Sequence, residues 1–165
     1  MDNMARNRKF WIMVFFIVLP LAVGMVSSAI TGDFVGRYGE LNQPMFAPPS
    51  WIFPVVWTIF YIMMGVASYL LWSANPQTDQ QCIDRKIILA IYFVQLVFNF
   101  FWSILFFAGQ YYWFSFYWLL VMWIMIIALV IKSIGLRPMA AVLFVPYLLW
   151  TTFAAYLTLM IAILN

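Results

Sequence analysis

Residues 87–131 read IILAIYFVQLVFNFFWSILFFAGQYYWFSFYWLLVMWIMIIALVI, and no charged residue lies between Lys86 and Lys132. A helix crossing about 30 Å of hydrocarbon needs about 20 consecutive apolar residues. This stretch holds two such lengths, broken only at Gly109 and Gln110. It therefore predicts a helical hairpin inside a bilayer, with Ile87–Ala108 and Tyr112–Ile131 as its arms. Spanning segments must satisfy their own backbone hydrogen bonds, so helices are the expected form.

Working outward, three more runs of the same kind appear: Phe10–Ile30, Trp51–Ala74 and Met139–Leu164. None of the five contains Asp, Glu, Lys or Arg, although the chain has eight basic and five acidic residues. The chain is 67% hydrophobic and 8% charged, with a mean hydropathy of +1.00. A soluble domain carries roughly 25% charged residues because its surface meets water. The fold class expected is an all-α integral membrane protein, a five-transmembrane-helix bundle forming one membrane domain over residues 1–165. Its main partner is the lipid bilayer, and the net charge of +3 is too small and scattered to suggest nucleic acid.

The connectors differ in kind. Thr31–Ser50 is the longest and contains Gly32, Gly36, Gly39, Pro44, Pro48 and Pro49, which disfavour a continuous helix. Asn75–Lys86 is short and polar, and Lys132–Pro138 joins the last two spans. Seven of the eight basic residues precede the first span or fall in the second–third and fourth–fifth connectors; only Arg37 lies opposite. The positive-inside rule then puts the N-terminus in the cytoplasm and the C-terminus outside, as in a bacterial inner membrane. Ser27-Ser28-Ala29 after a basic start also resembles a signal-peptide end, but an apolar run of about 20 residues exceeds the usual 7–15.

The residue inventory excludes several chemistries. There is no histidine, so imidazole-ligated haem or zinc and imidazole-dependent triads are ruled out. A single cysteine, Cys82, can form no intramolecular disulfide. No charge is available at mid-membrane for ion coupling. No cofactor and no metal site is expected, and a ligand at that depth should be apolar or planar.

What remains is aromatic and neutral-polar. Gln95, Asn99, Trp102, Ser103 and Phe106 share one face of the third span by helical spacing. Amides facing lipid are unfavourable, so this face points into the bundle, for interhelical hydrogen bonding, ligand contact or both. Trp57, Trp102, Trp123 and Trp150 fall near mid-span, where each indole N–H needs a partner. Pro20, Pro54 and Pro146 interrupt three spans, and kinks at Pro54 and Pro146 would widen the bundle one turn before Trp57 and Trp150. Gly24 and Ser28 form a small-x-x-x-small pair suited to close helix contact, within the bundle or between chains.

Three stretches resemble a known family. YGELNQPMFAPPSWIFPVVWTIFY (38–61), QLVFNFFWSILFF (95–107) and VPYLLWTTFAAYL (145–157) are similar to the motifs of the TspO/MBR family. Its members are called tryptophan-rich sensory proteins or translocator proteins (peripheral-type benzodiazepine receptors). The resemblance extends along the whole chain and implies a five-helix bundle with a pocket opening toward the long first loop. It implies porphyrins such as protoporphyrin IX as ligands, or another planar lipophilic molecule, and a possible homodimer. Transferred to this chain, the pocket would use Tyr38, Pro48, Trp57, Asn99, Trp102, Ser103, Phe106, Trp150, Phe153 and Ala154.

The sequence also departs from that pattern. Many members carry Trp near Phe46, Lys near Gln43 and Asn where Thr158 stands. No basic residue follows Tyr156, so the C-terminal sterol-recognition pattern is absent. The functional expectation is a porphyrin-binding sensor or regulator. Two alternatives remain: light-dependent porphyrin breakdown using Trp57 and Trp150, or passive transport of porphyrin or other lipophiles.

Overall fold

The computed structural model describes residues 2–165, apart from the side chains of Asp2, Asn3 and Ala5, so Met1, where the domain was expected to begin, lies outside the described residues. Six α-helices follow in order: α1 (Asp2–Thr31), α2 (Phe34–Glu40), α3 (Ile52–Trp72), α4 (Asp79–Ser103), α5 (Tyr112–Leu136) and α6 (Pro138–Leu164). All but α2 are long and apolar enough to cross a membrane. A π-helical turn, Ile104–Ala108, prolongs α4. The expected hairpin is therefore α4 with its π-turn, then α5. The reversal is closed by Gly109 N–H donating to Ile104 O at 2.8 Å and Tyr111 N–H to Leu105 O at 3.1 Å. Gln110 takes a φ of +55° to make it.

Several helix ends differ from the sequence reading, each for a local reason. The polar connector after α3 turns helical at Asp79, because Thr78 caps that end by accepting from Gln81 N–H at 3.2 Å. The long first loop holds α2, whose start is capped by Asp33 Oδ1 accepting from Gly36 N–H at 2.9 Å. Pro54 does not kink a span as expected. It lies in the first turn of α3, where backbone N–H groups have no helical partner to lose. Pro20 and Pro146 are internal to α1 and α6.

Helices α5 and α6 pack along each other, joined by Arg137 alone, and α1 lies chiefly against α3. The core runs through Met64, Leu71, Tyr92, Met122, Phe144 and Tyr147, all fully buried. Its polar centre is one connected chain of neutral side chains. Tyr61 OH donates to Asn99 Oδ1 (2.6 Å), Asn99 Nδ2 to Tyr147 Oη (3.2 Å), and Tyr147 OH to Gln95 Oε1 (3.0 Å). Gln95 Nε2 ends the chain on Met64 Sδ at 3.7 Å. Buried amides of α4 thus find partners from two other helices, which fixes how α3 and α6 face α4.

Two close approaches set the α1–α3 seam. Gly65 meets the backbone of α1: a Cβ there would lie 2.6 Å from Ile17 Cα and 2.7 Å from Phe16 O. One to two turns away along the seam, Gly24 of α1 receives the ring of Tyr61, which occupies the space a side chain would need.

Candidate ligand cavity between α1, α3 and α4

Beyond the Gly24–Tyr61 contact the two helices enclose a cavity of about 470 Å³. This lies within the size range of small-molecule sites, about 300–1,000 Å³. On α1 its wall runs from Leu21 to Thr31, about 15 Å at 1.5 Å per residue. Phe34 of α2 and Phe107 of the π-turn stand at one end, and their rings meet at 5.9 Å. Trp57 and Tyr61 of α3 face it from one side; Asn99, Trp102 and Ser103 of α4 face it from another.

The polar part of this wall carries no charge, and beside the Asn99 amide it includes a cluster of hydroxyls. Ser27 OH lies 2.6 Å from both Phe100 O and Ser103 Oγ, and Thr31 Oγ1 is 3.3 Å from Ser103 Oγ while donating to Ser27 O at 2.8 Å. The remaining lining is mainly apolar or aromatic. Met25, Ser28 and Ala29 on α1 and Pro54 and Thr58 on α3 line the cavity and are also exposed. They sit at helical spacing on facing helices, so the cavity opens sideways through the α1–α3 gap, on the apolar circumference of the bundle.

A second, much smaller void of about 20 Å³ lies among Tyr38, Phe53, Trp102, Phe106, Ala154 and Thr158. Tyr38 and Trp102 line this void, and Tyr38 OH and Trp102 Nε1 are buried with no hydrogen-bond partner among the described residues. Burial pushes the Tyr38 hydroxyl pKa up, because the phenolate would lose its hydration. The space is about right for one water.

The residues singled out from sequence divide between these spaces. Trp57, Asn99, Trp102 and Ser103 line the large cavity. Tyr38, Phe106 and Ala154 line the small void, and Trp102 touches both. Pro48, Trp150 and Phe153 line neither. The Trp150 ring packs against Phe53 (6.2 Å), Phe60 (6.1 Å) and Phe153 (5.7 Å), and its Nε1 is buried with no partner among the described residues. Trp123, another mid-span indole, instead donates to Thr152 Oγ1 at 2.8 Å. The π-turn explains part of the division: its wider winding, seen in the bond from Gly109 N–H to Ile104 O, turns both Phe106 and Phe107 inward.

Sequence reasoning missed the α1 wall as part of the site: Gly24 was singled out only for close helix contact, and Ser27 and Thr31 for no ligand role. Their spacing of three and four places them on one helical face. That stripe of small and hydroxyl residues was the available signal.

The sequence pattern of the TspO/MBR family matches residues 16–164. The chain is 34% identical over 153 residues to "Tryptophan-rich protein TspO" of Archaeoglobus fulgidus, covering 90% of this chain and 94% of that one. It is 32% identical over 160 residues to the protein of the same name from Chlorobaculum tepidum, covering 96% and 99%. It is also 32% identical over 143 residues to "Translocator protein" of Ovis aries, covering 86% and 83%.

Proposed function

The chain belongs to the TspO/MBR family of integral membrane proteins, and from that premise we propose that it is a porphyrin-binding sensor or regulator holding its ligand between α1, α3 and α4. The observation that carries this reading is the 470 Å³ cavity at membrane depth, walled by Trp57, Tyr61 and Trp102 and by neutral hydrogen-bonding groups. Aromatic faces stack on a flat macrocycle. Asn99, Ser27 and Ser103 add orientation without placing a charge in hydrocarbon. With no histidine in the chain, metal-free protoporphyrin IX binds at least as well as haem. The bundle sits in a bacterial inner membrane with its N-terminus in the cytoplasm, and a homodimer is the expected assembly.

Titration of the protein in lipid nanodiscs with protoporphyrin IX, read by tryptophan fluorescence, tests this. Saturable quenching is expected, weakened in Trp57→Ala and Asn99→Ala and close to wild type in Trp150→Phe. Absence of saturable quenching in the wild type, or equal loss in all three variants, refutes the reading.

One observation favours a second reading, passive exchange of ligand with the bilayer: the exposed rim of Met25, Ser28, Pro54 and Thr58. Porphyrin transfer between vesicles that is faster with the protein than without it supports this reading, and equal rates exclude it.

A further inference from the structure

Arg37 is the only basic residue between Lys9 and Arg85. It lies on α2, with Phe34 three residues before it and buried Tyr38 directly after it. Its Nη1 donates to the carbonyl of Phe107 at 2.8 Å, and the Phe107 side of the π-turn forms part of the cavity wall. Arg37 itself does not line the cavity, but this bond ties its guanidinium to a wall residue at the α2 end. It is partly buried and has no ionic partner among the described residues. The nearest acids in sequence are otherwise placed: Asp33 caps α2 through Gly36 N–H, and Glu40 is exposed at the far end of the helix.

An arginine has five N–H donors in a planar fork, and the Phe107 carbonyl engages one of its nitrogens. Capping the end of the α4 segment accounts for that bond. It leaves the positive charge and the other donors without a protein counterpart. A charge in that state, tied to the end wall of an otherwise uncharged apolar cavity, suits an anion attached to an apolar body.

We propose that Arg37 is a carboxylate-binding residue: the cavity takes an amphipathic acid whose apolar body lies between α1, α3 and α4 and whose carboxylate pairs with Arg37 at the α2 end. The inference rests on the ligand site proposed above and names the class of guest it selects. A carboxylate on a macrocycle and a carboxylate on an acyl chain offer the same group, and the test separates them.

Wild type, Arg37→Gln and Arg37→Glu in nanodiscs of uncharged lipid are titrated with protoporphyrin IX, its dimethyl ester, oleate and methyl oleate. Thermal melting confirms that each variant folds. Wild type should bind the porphyrin acid about tenfold more tightly than its ester, the scale of one charge-assisted hydrogen bond. Arg37→Gln should erase that difference by weakening the acid alone, and Arg37→Glu should invert it. Oleate showing the same Arg37 dependence assigns the site to carboxylates in general, and dependence confined to the porphyrin acid assigns it to the macrocycle. Equal weakening of acid and ester, or no change in either, leaves Arg37 a helix cap and overturns the proposal. If neither porphyrin form binds wild type, the proposed function fails, and the oleate pair still decides the role of Arg37.

Discussion

Replacing Gly65 with alanine should loosen the α1–α3 seam on which the cavity stands. The added methyl would lie 2.6 Å from Ile17 Cα and 2.7 Å from Phe16 O. Both are backbone atoms, so no side-chain rotation relieves the clash. Ordinary contact begins near 3.4 Å, so α1 must retreat by about 0.8 Å in a closely packed interior. Overpacking of this kind costs about 1–3 kcal/mol. The gain in helix propensity from Gly to Ala returns about 1 kcal/mol, leaving a net loss of about 0–2 kcal/mol. Gly135→Ala is the matched control, because nothing lies within 4 Å of its added methyl and only the propensity gain applies. Unfolding in mixed micelles, followed by circular dichroism, measures both. The reasoning also predicts weaker ligand binding in Gly65→Ala, since one wall of the cavity moves. A Gly65→Ala protein as stable as Gly135→Ala, with unchanged binding, would refute it.

Other consequences are open to measurement. In a double-mutant cycle of Tyr61→Phe with Asn99→Leu, the two losses should be non-additive, with a coupling of about 0.6–1.7 kcal/mol, the range seen for interhelical hydrogen bonds in membranes; additive losses would mean the 2.6 Å contact contributes nothing. Ser27→Val severs the links to Phe100 O and Ser103 Oγ, and melting should show a loss of about 1–3 kcal/mol, the scale of leaving buried polar groups unpaired. Thr78→Ala removes the N-cap of α4 and should lower stability by about 0.5–2 kcal/mol without altering porphyrin affinity, because the cap is remote in the chain from every cavity residue.

The spanning helices were legible because charge is excluded from hydrocarbon: thirteen charged residues sorted to the N-terminal segment and the connectors leave little choice of topology. The helix ends were less legible. A helix capped by Thr78 can begin two turns before its apolar run, and α2 forms despite holding Gly36 and Gly39 because Asp33 caps its first turn. The α4 face of the site was readable for a related reason: Asn99 and Ser103 are conspicuous in an apolar helix. The α1 face was not, because a stripe such as Gly24 with Ser28 looks the same whether it packs inside one chain or between two. Here Gly24 takes the Tyr61 ring of its own chain, while Ser28 stays exposed beside the cavity. Nor does the period of α6 reveal which side of Trp150 meets a void. Its indole is spent on Phe53, Phe60 and Phe153, and only the assembled packing decides that.

Of the five spans, α1 is the least buried, yet it supplies one whole side of the cavity. Solvating molecules therefore complete the shell around any guest, and the host is in effect the helices together with their annular lipids. Acyl-chain length and lateral pressure become parameters of affinity in their own right. Measurements made in a short-chain detergent and in a thick, ordered membrane should then yield different binding constants for one unchanged polypeptide.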